Sequence, residues 1–173
     1  EVDYVYTFLA TRQNRKSTGL IGVIVPRFED LFFASLLDSI EAAARSAGFT
    51  MITQSSHGEH EFEERAVQKL RSMNVDGAII APLGTEGSPD AFGSAGDDFP
   101  IVFADSHPSR TLPHADFVGT DNTKSIGVMV EYLCRSGAAP VYLAMPKLNS
   151  NAMERRDAYF EKMQNLGHEA DVI

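Results

Sequence analysis

The sequence predicts an α/β fold, a doubly wound parallel sheet, and three observations carry that prediction. Short apolar runs such as Leu20–Val25, Ala78–Ala81 and Ile101–Ala104 alternate with stretches whose apolar residues recur at helical spacing. The runs are continuous rather than alternately apolar and polar, which marks strands covered by helices on both faces. Gly, Pro or Asn punctuates nearly every boundary, so each strand is followed by a helix and not by a hairpin turn. Strict alternation of this kind implies parallel strands joined by right-handed crossovers.

The elements follow in order. Leu20 to Val25, LIGVIV, is the first strand and breaks at Pro26 into a short polar loop. A helix then opens on the pair Phe32-Phe33, with Asp30 as a suitable N-cap and Phe33, Leu36, Leu37, Ile40 and Ala44 on one face. It ends near Gly48, and Phe49 to Thr53 reads as the second strand. Ser55 to Gly58 is loop, and Glu59 to Met73 is a helix carrying Phe62, Ala66, Leu70 and Met73 on its apolar face. Asn74 and Gly77 precede the third strand, Ala78 to Ala81. Gly84 to Pro89 is loop, with a short helix expected near Ala91. Pro100 starts the fourth strand, Ile101 to Ala104, and Asp116 to Gly119 is a short fifth. Asp121 caps a helix with Ile126, Val130 and Leu133, stopped by Gly137. Val141 to Met145 is a sixth apolar run, followed by a helix from Ala152 to Leu166 that Gly167 stops. The six apolar runs are expected to form one parallel sheet in the order 2-1-3-4-5, with the sixth beyond these or near a crossing to another lobe. An antiparallel pairing of the first two strands is excluded, because a helical pattern lies between them. Residues 1–19 carry Arg12, Arg15 and Lys16 with few apolar residues after Ala10, and read as an arm or linker; Glu169 to Ile173 starts what reads as a further strand.

Composition narrows the function. A chain of 173 residues can bury a real core as one domain or slightly more. A net charge of −9 and a pI near 4.9 argue against nucleic-acid binding by this segment itself, which needs a basic patch. A single cysteine, Cys134, excludes an internal disulfide framework and suits a reducing compartment. No apolar run approaches the roughly 18 residues of a membrane span, so no membrane association and a cytoplasmic location are expected. There is no GxGxxG after the first strand, no GxxxxGK[ST] and no GxSxG, since Gly93-Ser94-Ala95-Gly96 has the wrong spacing. No cofactor is expected, and no enzyme. His57, His60, Glu61 and Glu64 match no metal-ligand spacing and read as a solvated loop entering a capped helix, so no metal is expected. Acidic residues follow strands at Asp30, Asp105 and Asp121, but a phosphorylation pocket requires adjacent acids after the first strand, which here ends in Pro26-Arg27.

In open α/β sheets ligands bind beyond the carboxyl ends of the strands. The polar groups expected there are Asp30, Asp105, Asn149, Asn151 and Arg155, beside the aromatic pair. Carboxylates, amides and a guanidinium around aromatic faces suit a polyhydroxylated ligand, because each hydroxyl both donates and accepts. Each residue also has a purely structural alternative. Phe33 lies on the core stripe whereas Phe32 lies off it; Asp30 and Asp121 serve equally as N-caps; Arg155, beside Arg156, could be a surface residue.

At these residues the chain resembles the LacI/GalR (lac repressor) family of bacterial transcriptional regulators. IGVIVPRFEDLFFASLLDSIEAAARSAGF resembles the family's first strand, aromatic loop and first helix. VDGAII, IVFAD, VGTDNTKSIGVMVEYLCRSG and ERRDAYFEKMQNLG then follow in the family's order and spacing. Tyr4, Ala10 and Gly22 hold the spacing between the family's hinge and its first strand. The resemblance implies a periplasmic-binding-protein-like (type I) lobe, with residues 1–19 as a hinge arm after a helix-turn-helix head that this chain lacks. Residues 20–173 would then be the N-terminal lobe of an effector-binding core, stopping near the crossing to a second lobe. It implies Asp30, Phe32, Phe33, Asp105 and Arg155 as ligand contacts, Asn151 as a polar contact found in some members, and Asp121 and Asn122 in lobe structure and signalling. The hinge position of the family's leucine wedge is Gln13 here, which departs from that mode of DNA bending. The expected function is ligand sensing for transcriptional control: a sugar-like effector between lobes, a homodimer, and operator DNA reached only through the head. The alternatives are a transport-type sugar-binding protein, which needs an export signal and no hinge arm, and a small doubly wound enzyme, which needs a nucleophile–base pair or cofactor loop.

Overall fold

The computed structural model describes residues 17–84, 92, 99–108, 112, 115–145 and 149–173. The hinge positions before residue 17, the loop from 85 to 89 and the short helix expected near Ala91 lie outside the described residues.

Five strands, β1 Leu20–Val25, β2 Thr50–Ser55, β3 Gly77–Ile80, β4 Ile101–Ala104 and β5 Asp116–Val118, form one sheet in the order β2-β1-β3-β4-β5, as expected. Every pairing is parallel, with Val23 opposite Thr53 on one side and Ile79 on the other. Four helices are described: α1 Leu31–Ser46, α2 His60–Ser72, α3 Asn122–Arg135 and α4 Ser150–Asn165. The second strand runs two residues beyond its expected end, because Thr53, Gln54 and Ser55 continue the ladder against β1.

Alternation along β1 distributes the core to both faces. Ile24 joins Val67, Leu70, Val75, Ile80, Ile101 and Phe103 in the larger cluster, under α2. Val23 and Val25 face the other way, where Phe33, Leu37 and Ile40 of α1 cover them. Gly22 is what lets α2 approach β1 so closely: a Cβ there would lie 2.3 Å from Leu70 Cδ1. The stripe of α1 is as its spacing predicts. That of α2 holds for Ala66 and Leu70 but is rotated about them: Phe62 and Met73 are exposed, and Glu63 and Val67 face inward instead. On α3, Leu133 is likewise exposed, and Cys134 packs beside Val130 instead.

The sixth apolar run does not join the sheet. Tyr142 forms an isolated parallel bridge with Val172, through Tyr142 N–H to Asp171 O at 2.9 Å and Ile173 N–H to Tyr142 O at 3.0 Å. The physical reason lies in α3 and α4, which pack on one another around Val130, Tyr159 and Met163 rather than on the five strands. Their shared core draws Tyr142 and Ala170 to it. The Tyr159 hydroxyl holds both segments by bonding Pro140 O at 2.8 Å and the backbone of Asp171. No helix of the described residues is long and apolar enough to cross a membrane.

Candidate ligand-binding site

The predicted residues fall into two groups on the carboxyl-end edge of the sheet. The first opens α1. Asp30 is the N-cap: its Oδ1 accepts the Phe32 N–H at 2.9 Å, and its backbone is extended as capping requires. The carboxylate is exposed, and Oδ2 has no partner among the described residues. Phe32 is 54% exposed and meets Phe33 edge to face at 5.1 Å. Phe33 is half-buried against the cluster of Val23 and Val25. One aromatic therefore anchors the loop while the other presents a face to solvent.

The second group gathers where β4 ends. Asp105 follows β4 with φ +66°, a left-handed conformation that Asp tolerates better than most residues. Its N–H donates to Val118 O of β5 at 2.9 Å, so the turn is held by the neighbouring strand. Ser106 is buried and donates to Asp105 Oδ2 at 3.3 Å. Asn151, in the first turn of α4, is buried and donates from Nδ2 to Ser106 Oγ at 3.1 Å. Arg155, one turn on, is exposed and donates from Nε to Asn122 Oδ1 at 2.7 Å. Asn122, the first residue of α3, also donates to Asn151 Oδ1 at 3.0 Å and Glu154 Oε2 at 2.7 Å. No hydrogen bond among the described residues joins this group to Asp30 and the aromatic pair.

The start of α4 is seated tightly. Asn149 caps it by accepting the Ala152 N–H at 2.9 Å, and Ser150 Oγ accepts the His107 N–H at 3.0 Å. Gly84, with φ +66°, sits against both segments: a Cβ would fall 3.0 Å from His107 O and 3.0 Å from Ser150 Oγ. The loops after β3 and β4 thus meet the N-terminus of α4 with no room for a side chain at that point. The His107 ring stacks on Phe117 at 3.5 Å between centroids, covering the end of β5.

Another polar residue at this edge is Glu63. It is buried on the inner face of α2, and its Oε1 accepts the Leu83 N–H of the loop after β3 at 2.9 Å. Oε2 lies 3.8 Å from His60 Nδ1. Burial pushes its pKa up to about 7.

Sequence reasoning passed over Ser106, Glu154 and Glu63. Ser106 and Glu154 carry no signal that spacing reveals. Glu63 does, since it shares with Ala66, Val67 and Leu70 the i, i+3, i+4, i+7 face that should be apolar throughout. Asp121 is an N-cap, its Oδ1 accepting the Lys124 N–H at 2.9 Å.

The carboxyl edge of the parallel sheet thus gathers a guanidinium, buried amides, a carboxylate and an exposed aromatic on an α/β fold. The chain belongs to the periplasmic binding protein domain family, whose profile matches residues 21–170. Its curated relatives are transcriptional regulators, in keeping with the resemblance to LacI/GalR proteins. The HTH-type transcriptional regulator PtxS of Pseudomonas putida is 26% identical over 155 residues, covering 87% of this chain and 44% of that protein. The crystal structure of a putative ribose operon repressor from Burkholderia thailandensis superposes with a TM-score of 0.80 at 25% identity, over 88% of this chain and 58% of that one. A periplasmic binding protein/LacI transcriptional regulator from Alkaliphilus metalliredigens, complexed with D-xylulofuranose, has the same fold, with a TM-score of 0.77 at 22% identity over 90% and 56% of the two chains. The chain spans about half the length of the curated relatives it matches.

Proposed function

We propose that this chain is part of the effector-sensing core of a bacterial transcriptional regulator that binds a sugar or related metabolite and performs no catalysis. The observation that carries the reading is the cluster of Asp105, Asn151 and Arg155 at the end of β4, two of them hydrogen-bonded through buried amides. Such a set satisfies ligand hydroxyls in both senses, while Phe32, half exposed at the end of β1, offers an apolar face for a sugar ring. Asp30 supplies a further carboxylate oxygen, and Phe33 supports Phe32 from the core side. Likeness to regulators named for ribose, and to one complexed with a pentulose, supports the sugar class.

In this reading residues before 20 are the hinge arm; the stretch 20–173, expected above to be one lobe, is divided, with residues 20–119 as the lobe built on the five strands. The separate packing of α3, α4 and the Tyr142–Val172 bridge favours placing the lobe crossing at Gly119–Asp121, with α3 opening the second lobe. The effector sits between lobes and biases their closure, which alters how paired heads engage operator DNA from the cytoplasm. Pairing is through a homodimer.

The test is calorimetric titration of the intact gene product with D-ribose, D-glucose and D-xylulose, alongside thermal melts. Saturable heat with a raised melting temperature for at least one sugar is expected. Absence of binding to all three overturns the sugar reading.

A further inference from the structure

Hydrogen-bonding chemistry dictates the orientation of each side chain between Arg155 and Asp105. An arginine Nε–H only donates and a carboxylate only accepts, and the Asn122 amide touches both. Its atom 2.7 Å from Arg155 Nε is therefore Oδ1, and its atom 2.7 Å from Glu154 Oε2 is Nδ2. The second Nδ2 hydrogen goes to Asn151 Oδ1 at 3.0 Å, which turns Asn151 Nδ2 toward Ser106 Oγ at 3.1 Å. The Ser106 hydroxyl proton is then left for Asp105 Oδ2 at 3.3 Å. Every donor in the series points the same way, from the cation to the carboxylate. The three middle residues are 3%, 6% and 2% exposed, so water does not compete for the bonds among them.

We propose that Asn122 and Ser106 are positioning residues that join Arg155, Asn151 and Asp105 into one polarised relay, leaving the Nη1/Nη2 edge of Arg155 as the ligand-facing fork. The inference rests on the site reading above and deepens it. With Nε engaged, a side-on contact through Nε and one Nη is closed, and the two Nη groups have no partner among the described residues. Their parallel donors fit two adjacent ligand oxygens, those of a vicinal diol or of a carboxylate. Breaking the relay at Ser106 reaches Arg155 through Asn151 and Asn122, with no contact between the two ends.

Nuclear magnetic resonance of the full chain tests the relay without any ligand. In the native protein the Arg155 Nε–H should exchange with water more slowly than that of exposed Arg27. In Ser106→Ala, the side-chain amide protons of Asn151 and Asn122 and the Arg155 Nε–H should all shift, while backbone amides of β1 and β2 stay in place. An unmoved Arg155 Nε–H in that variant overturns the relay. Asn122→Asp keeps an acceptor for Arg155 but removes both donors, so Asn151 should reverse its amide; an unmoved Asn151 side-chain amide pair in that variant contradicts the assigned direction. The positioning role is read in the intact gene product with D-glucose and D-gluconate as probes, one offering diols and the other a carboxylate. Ser106→Ala and Asn122→Asp should each weaken the tighter-bound probe by about tenfold; each should also lower the melting temperature, because a buried amide loses a partner, so the titrations are run well below both midpoints. Native affinity in both variants overturns the positioning role. If the native protein binds neither probe, whichever of D-ribose and D-xylulose it binds replaces them; if it binds none of these, the sugar reading fails, and the ligand-free spectra still decide the relay.

Discussion

At the scale of single residues, Glu63 and Arg155 make opposite demands on solvent. Burial raises the Glu63 pKa from 4.5 to about 7, so the folded chain holds that proton more tightly than the unfolded chain. Its contribution to stability is full below pH 4.5 and is lost as pH rises through about 7. The cost at pH 8 is of the order of 3 kcal/mol. Glu63→Gln keeps an acceptor for the Leu83 N–H without the charge. It should stabilise the fold by about 1–3 kcal/mol at pH 8 and by much less at pH 5, as thermal or urea melts at the two pH values would show. A constant difference between the two pH values would contradict the assignment. Arg155 is exposed and adds little to the core. Arg155→Ala should lower effector affinity in the intact protein by about 2–4 kcal/mol, because the ligand oxygens it serves lose a charged donor. Phe32→Ala should weaken binding by less, with little change in melting temperature. Phe33→Ala should chiefly destabilise, by about 2 kcal/mol for a half-buried ring. Native binding by Arg155→Ala would remove it from the site.

At the scale of elements, short-range bonds decide where each unit starts. Asp76, before β3, accepts from Ser17 Oγ at 2.6 Å and from the N–H groups of Thr18 and Gly19, each at 2.9 Å, so residues 17–19 are tied to the sheet. These bonds hold its carboxyl at a pKa of about 2, below the usual carboxylate range, so their contribution is present above pH 3.8 and lost as pH falls through about 2. Asp121→Ala should cost about 1 kcal/mol by uncapping α3, measurable in urea melts, with no direct effect on ligand affinity. Gly22→Ala tests the seam between β1 and α2. Leu70 is fully buried and cannot swing away from a new methyl 2.3 Å from its Cδ1, so a loss of about 1–3 kcal/mol is expected. The burial of β1 on both faces was readable because its run is apolar throughout, and its alternate residues feed two different cores. The face of α2 was misread: Phe62 is apolar and fits a helical stripe, but the buried face runs through Glu63, one residue on.

At the scale of the whole molecule, two packing units meet at the end of β4. The five strands with α1 and α2 have cores on both faces, whereas α3 and α4 share one core and leave Val128, Met129 and Tyr132 more than half exposed. Apolar surface of that kind seeks cover. The chain should self-associate at high micromolar concentration, and sedimentation showing only monomer there would contradict this.

The order of strands, both faces of the β1 core and the α1 stripe were determined by the sequence alone, because periodicity and caps act within a few residues of one another. The candidate residues Asp105, Asn151 and Arg155 were legible as polar groups at strand and helix ends. Only the tertiary structure decided that Asn122 and Ser106 link them, that Glu63 is buried, and that Val141–Met145 pairs with the chain end instead of the sheet. Hydrogen bonds between residues 29 to 45 positions apart, and the choice of partner for a short strand, depend on where two helices come to rest. No local pattern of apolar and polar residues encodes that position.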